Sequence, residues 1–115
     1  MKQELQKLEQ WGCDVKGTMP RFLEDEAFLM ECVEEVAGDP AFETLGEALR
    51  QGDLNQAFDA AHMLKGIIAN TGLTPLQKII VEIVEPLRRG ESEGLEQSYA
   101  QLMEKRNQLL ELLKS

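Results

Sequence analysis

Residues 54–73 read LNQAFDAAHMLKGIIANTGL, and the fold turns on how that stretch is read. Leu54, Ala57, Ala61, Leu64 and Ile68 recur at alternating spacings of three and four. Side chains at those offsets stack along one face of an α-helix, so the five form a single apolar stripe. The spacing predicts a helix over residues 54–71, capped in front by Asp53 and stopped behind by Gly72. At about 100° per residue, His62 lies roughly 120° from the centre of that stripe. The chain's single histidine is therefore expected on the outer flank of the helix, at or near solvent.

The same periodicity extends in both directions. Thr74 and Pro75 open a following helix, because proline is tolerated in a first turn whose N–H groups have no partner. Leu76, Ile79, Ile80, Ile83, Val84 and Leu87 give that helix a wide apolar face, Pro86 is expected to kink or fray its end, and Gly90 to close it. Ser92 offers a cap to a last helix marked by Leu95, Tyr99, Leu102, Met103, Leu109, Leu110, Leu112 and Leu113. Upstream, Phe28, Leu29, Cys32, Val33 and Val36 form one stripe, which resumes after Gly38-Asp39-Pro40 with Phe42, Leu45, Ala48 and Leu49. That is either one bent rod or two helices meeting at the proline. Residues 3–10 are a short, mostly polar helix or a frayed lead-in; Gly12 and Gly17 bracket a break, and Thr18 can cap a short turn holding Pro20.

Four long helical segments with short connectors predict an all-α, up-down-up-down four-helix bundle with a short N-terminal helical extension. Residues 1–115 are then one domain, with residues 1–25 as the extension and 26–114 as the bundle. At 43% hydrophobic and 29% charged, the chain has the make-up of an ordinary globular domain. Aromatics supply only 5% of it, so the core must come from aliphatic side chains.

The formal net charge of −9 argues against nucleic acid and anionic lipid as partners, since Arg88-Arg89 and Lys105-Arg106 are the densest basic clusters. Cys13 and Cys32 form no CxxC pair and lie far in sequence from the histidine, so metal-ligand spacing is absent and both read as small apolar residues kept reduced. Residues 1–10 are too polar for a signal peptide, and no apolar run reaches the roughly 20 residues that span a bilayer. No glycine-rich nucleotide loop is present.

The chemistry gathers around His62. Its face-mates on the helix are Asn55, Phe58, Asp59, Lys65, Gly66 and Ala69. Lys65, at i+3, puts a cation within a turn of the imidazole. Gly66, at i+4, costs the helix about 1 kcal/mol relative to alanine, and it points away from the predicted core. Clearance for an approaching partner is a reason for it; close helix packing is the competing reason. In its neutral form an imidazole carries a nucleophilic nitrogen, and a lysine beside it would offset the two or so negative charges of a phosphoryl group. A solvated surface histidine and lysine are the plain alternative for each residue taken alone.

The stretch AHMLKGIIANTGL at residues 61–73 resembles the signature of the histidine-containing phosphotransfer (HPt) domain family. The pattern is H-x-x-K-G, a small residue seven positions after the histidine and a glycine ten after it. His62, Lys65, Gly66, Ala69 and Gly72 supply all of these. The similarity runs from about Gly12 onward, with one departure: Ile67 and Ile68 stand where small residues are common.

The resemblance implies a phosphorelay carrier in two-component signalling. His62 would become a phosphohistidine by taking the group from a receiver-domain aspartate, then pass it to another receiver, with Lys65 and Gly66 completing the site. Asn55, Phe58, Asp59 and Ala69 would meet the receiver. The partners are response-regulator receiver domains and a hybrid sensor histidine kinase. No cofactor is expected on this chain, because Mg²⁺ belongs to the receiver. A cytoplasmic monomer without kinase activity of its own follows from the same likeness. Some members place a polar residue of the next helix against the second imidazole nitrogen; Glu82, Glu85 and Arg88 are within reach. The alternatives are a receiver-binding module that no longer transfers phosphate, a structural helical protein pairing through residues 95–113, and a segment of a larger kinase, the last disfavoured by a chain with no following domain.

Overall fold

The computed structural model describes residues 3–114, which are helical apart from short connections, with no strand among them. The elements are α1 (Gln3–Trp11), α2 (Val15–Thr18), a 3₁₀ turn (Met19–Phe22), α3 (Glu26–Ala37), α4 (Ala41–Gln51), α5 (Leu54–Asn70), α6 (Thr74–Arg88) and α7 (Leu95–Lys114). Helix α4 packs on α5, α5 on α6 and α6 on α7, and α4 returns to α7 to close the ring. This is the up-and-down four-helix bundle that the short connectors predict, with α3 continuing the first rod along α7.

Local chemistry sets each boundary. Asp53 accepts a hydrogen bond from the Gln56 N–H and caps α5, and Gly52 ends α4 in the left-handed conformation at φ 72°. Asp25 caps α3 in the same way through the Phe28 N–H. The interruption at Gly38–Pro40 resolves as two helices, with the Asp39 carboxylate accepting from the Ala41 N–H at 2.8 Å. Arg106 of α7 fixes that joint. Its guanidinium donates to the Ala37 carbonyl at 2.7 Å, pairs with Glu43 at 2.9 Å and lies over the Phe42 ring. Helix α6 runs past Pro86 to Arg88 and then turns out through Gly90.

The core follows the predicted stripes closely, with informative shifts. Ala57, Ala61, Leu64 and Ile68 are buried on α5, while Leu54 at its start is half-buried. On α3 the buried set is Leu29, Val33, Val36 and Ala37, so the core face is displaced from the predicted one; Cys32 is half-buried, and Phe28 is 41% exposed with its ring edge-on to Phe22. The turn before α3 also departs from expectation. Thr18 does stand at the N-cap of the turn holding Pro20, but its buried hydroxyl makes no cap bond there and donates back to the Asp14 carbonyl at 2.6 Å, while the Asp14 side chain caps α2. Ser92 meets α7 through its carbonyl, which accepts from the Leu95 N–H.

The polar lead-in is an amphipathic helix. Leu5 and Leu8 of α1 are fully buried within the same core cluster, and the Trp11 indole N–H donates to Gln108 of α7 at 3.0 Å. Burying each such leucine contributes about 1.5–3 kcal/mol, enough to hold a short helix that could not persist alone. The N-terminal segment also reaches the site-bearing helix: the Arg21 guanidinium donates to the Ala69 and Asn70 carbonyls at 3.3 and 3.2 Å. A cation there adds donors at the carbonyls of the last turn and complements the negative end of the α5 dipole. Cys13 is buried, and burial pushes its thiol up to about 12, leaving no accessible thiolate.

Candidate functional site

Because Ala61, Leu64 and Ile68 must face the core, His62 is turned outward, and its side chain is exposed on the α5 surface. One turn earlier, Phe58 is half-buried and stacks under the imidazole, with ring centroids 5.4 Å apart and planes 20° from parallel. Such stacking fixes the ring's orientation without occupying either nitrogen. Among the described residues no hydrogen bond or ion pair engages the imidazole, from Glu82, Glu85, Arg88 or any other side chain.

Gly66 lies on the same face one turn on, and a Cβ built there meets nothing within 4 Å. Close helix packing is therefore not why glycine stands at this position. Gly66→Ala should raise stability by about 0.5–1 kcal/mol, because alanine is the better helix former and the space is empty. Gly66→Leu should keep the fold while slowing the phosphoryl transfer that the resemblance implies at least about tenfold, through obstruction. Thermal denaturation beside transfer kinetics separates the two effects. Unchanged transfer in Gly66→Leu would leave the clearance role without support.

Lys65 departs from the expected arrangement in one respect. Its ammonium is drawn across to α6, where it stands 3.9 Å from a Glu85 carboxylate oxygen, and the side chain stays 38% exposed. Glu85 also stands 3.6 Å from Arg88, whose guanidinium lies over the Phe58 ring at 5.3 Å from its centroid. The imidazole thus sits at one end of a chain of contacts running through Phe58, Arg88, Glu85 and Lys65.

Asn55, Phe58 and Asp59 line one groove of about 550 Å³ between α5 and α6, together with Leu54, Leu87, Arg88 and Gly90. Ala69 is separate from that groove. It is half-buried, about 10 Å further along the helix from His62, at the end clamped by Arg21. Ile67 is half-buried and packs against the core, and Ile68 is wholly buried, so the bulk at these positions is largely taken inward. The pairing of Glu85 with Lys65 was not readable from α5 alone. It needs the register of α6, which the connection through Gly72 and Leu73 sets.

The bundle holds one imidazole outward, with a lysine and open space within a turn of it, so another molecule can approach the ring directly. Residues 23–115 match the family model described as the Hpt domain, and the chain belongs to that family. No curated protein and no solved structure matches it. Family membership carries a general role in histidine phosphotransfer within phosphorelay, two-component signalling, as a carrier module that meets receiver domains and kinases. No helix among the described residues is long and apolar enough to cross a membrane.

Proposed function

We propose that the protein is a reversible phosphoryl carrier, taking the group on His62 from the aspartyl phosphate of one receiver domain and yielding it to the aspartate of another. The observation that supports this most directly is the exposed imidazole, stacked on Phe58 and followed by a glycine with nothing around it. The lone pair of the unprotonated nitrogen attacks phosphorus, the N–P bond forms, and the P–O bond to the aspartyl carboxyl breaks with its electron pair leaving on the carboxylate. The return step runs the same bonds in reverse. The receiver supplies the acidic pocket and Mg²⁺, so this chain needs no cofactor and no kinase activity of its own.

Lys65 offsets charge on the phosphoryl group, while Phe58, Asn55 and Asp59 present the groove beside α6 to the receiver and Ala69 extends the contact along α5. A hybrid sensor histidine kinase is the upstream source, and the carrier works as a cytoplasmic monomer, its charge of −9 keeping it off nucleic acid.

The test is incubation with a phosphorylated receiver, followed by intact-mass and peptide mapping under neutral conditions. One phosphoryl group should appear, on the peptide containing His62, and leave again when an unphosphorylated receiver is added. No uptake, or uptake on another peptide, would sink the assignment.

A further inference from the structure

We propose that Glu85 is a positioning residue that competes with the phosphoryl group for Lys65, and so sets how firmly a loaded site holds its dianion. The inference rests on the carrier reading of His62. Glu85 lies 3.9 Å from Lys65 and 3.6 Å from Arg88, with all three side chains substantially exposed. Both separations exceed a hydrogen bond, so the contacts are electrostatic and easily exchanged. Lysine carries its charge on a flexible four-carbon stem, and Lys65 stands at i+3 from His62, within one turn on the same face.

A phosphoryl group on His62 brings up to two negative charges against the single charge of Glu85. Lys65 then swings from the carboxylate to the phosphoryl oxygens. Glu85 opposes this in two ways: it retains the lysine, and it places a negative charge beside the incoming one. Arg88 remains over Phe58 as an alternative partner for Glu85, so the carboxylate is not left unpaired when Lys65 departs. The site is thereby balanced between accepting a phosphoryl group and releasing it, which a carrier working in both directions requires.

The experiment loads His62 directly with phosphoramidate and follows the phosphohistidine resonance by ³¹P NMR as a function of pH, in wild type, Glu85→Gln, Lys65→Gln and the double variant. Removing the Glu85 charge and freeing Lys65 both favour the dianion. The phosphoryl group of Glu85→Gln should therefore bind its last proton about fivefold more weakly than in wild type. In the Lys65→Gln background the same substitution should have less than half that effect on the logarithmic scale, because the competition for lysine is gone. A change under about twofold in Glu85→Gln, or one of which half or more survives without Lys65, overturns the proposal and leaves the carrier reading standing. Absence of a phosphohistidine resonance in wild type overturns both.

Discussion

His62→Gln is expected to give a folded helical bundle that accepts no phosphoryl group. The glutamine amide nitrogen has its lone pair delocalised into the carbonyl and is no nucleophile, and among the described residues the structure has no second histidine to take over. Acceptance from a phosphorylated receiver should fall by about 10³-fold or more, to the level of the receiver's own hydrolysis. The fold should be nearly indifferent. The ring is exposed, so its replacement opens no cavity, and the loss is confined to the stacking on Phe58, about 0.5–1.5 kcal/mol at most. Circular dichroism and urea denaturation beside a transfer assay give both halves of the result. Transfer persisting within about tenfold of wild type would place the acceptor elsewhere.

How much of this was legible in advance depends on which contacts are local. The outward turn of His62 follows from Ala61, Leu64 and Ile68 alone, because a helix fixes the angle between neighbours in sequence. Gly52 and Asp53 likewise announce their turn, since a left-handed cap and an N-cap are chemistry of the residue itself. The α3 face was displaced because Phe28 looks like a core residue by composition, yet the buried stripe is Leu29, Val33, Val36 and Ala37, and Phe28 finds Phe22 instead. Leu5 and Leu8 are only two apolar residues in a polar run, too few to distinguish a docked helix from a frayed one. The contacts of Lys65 with Glu85 and of Arg88 with Phe58 lie between helices, and their register depends on the exact path of the chain through Gly72 and Leu73. Periodicity within a helix carries no record of that path.

Gly72→Ala should be strongly destabilising at the buried turn that follows α5, for reasons opposite to those that govern Gly66. Gly72 adopts φ +69°, a region that costs an L-residue about 1–2 kcal/mol. A Cβ there would also fall against the Thr18 hydroxyl and within 2.9 Å of the Asp14 carbonyl oxygen. The second neighbour is backbone, and it cannot swing aside, because the Asp14 N–H donates to the Gly72 carbonyl at 3.0 Å and the Thr18 hydroxyl donates to the Asp14 carbonyl. Relief requires the N-terminal segment to lift from the end of α5, loosening the Arg21 clamp on Ala69 and Asn70. The two contributions together come to about 2–5 kcal/mol, a large share of the 5–15 kcal/mol typical of a domain. Urea denaturation should show the midpoint lowered by about 2 M, given a slope of about 1–3 kcal/mol/M. Two glycines of one sequence signature thus respond to the same methyl group with opposite signs, since one faces empty space and the other a backbone carbonyl. A loss below about 1 kcal/mol in Gly72→Ala would mean that the segment carrying Asp14 and Thr18 is not seated on α5 as the structure has it.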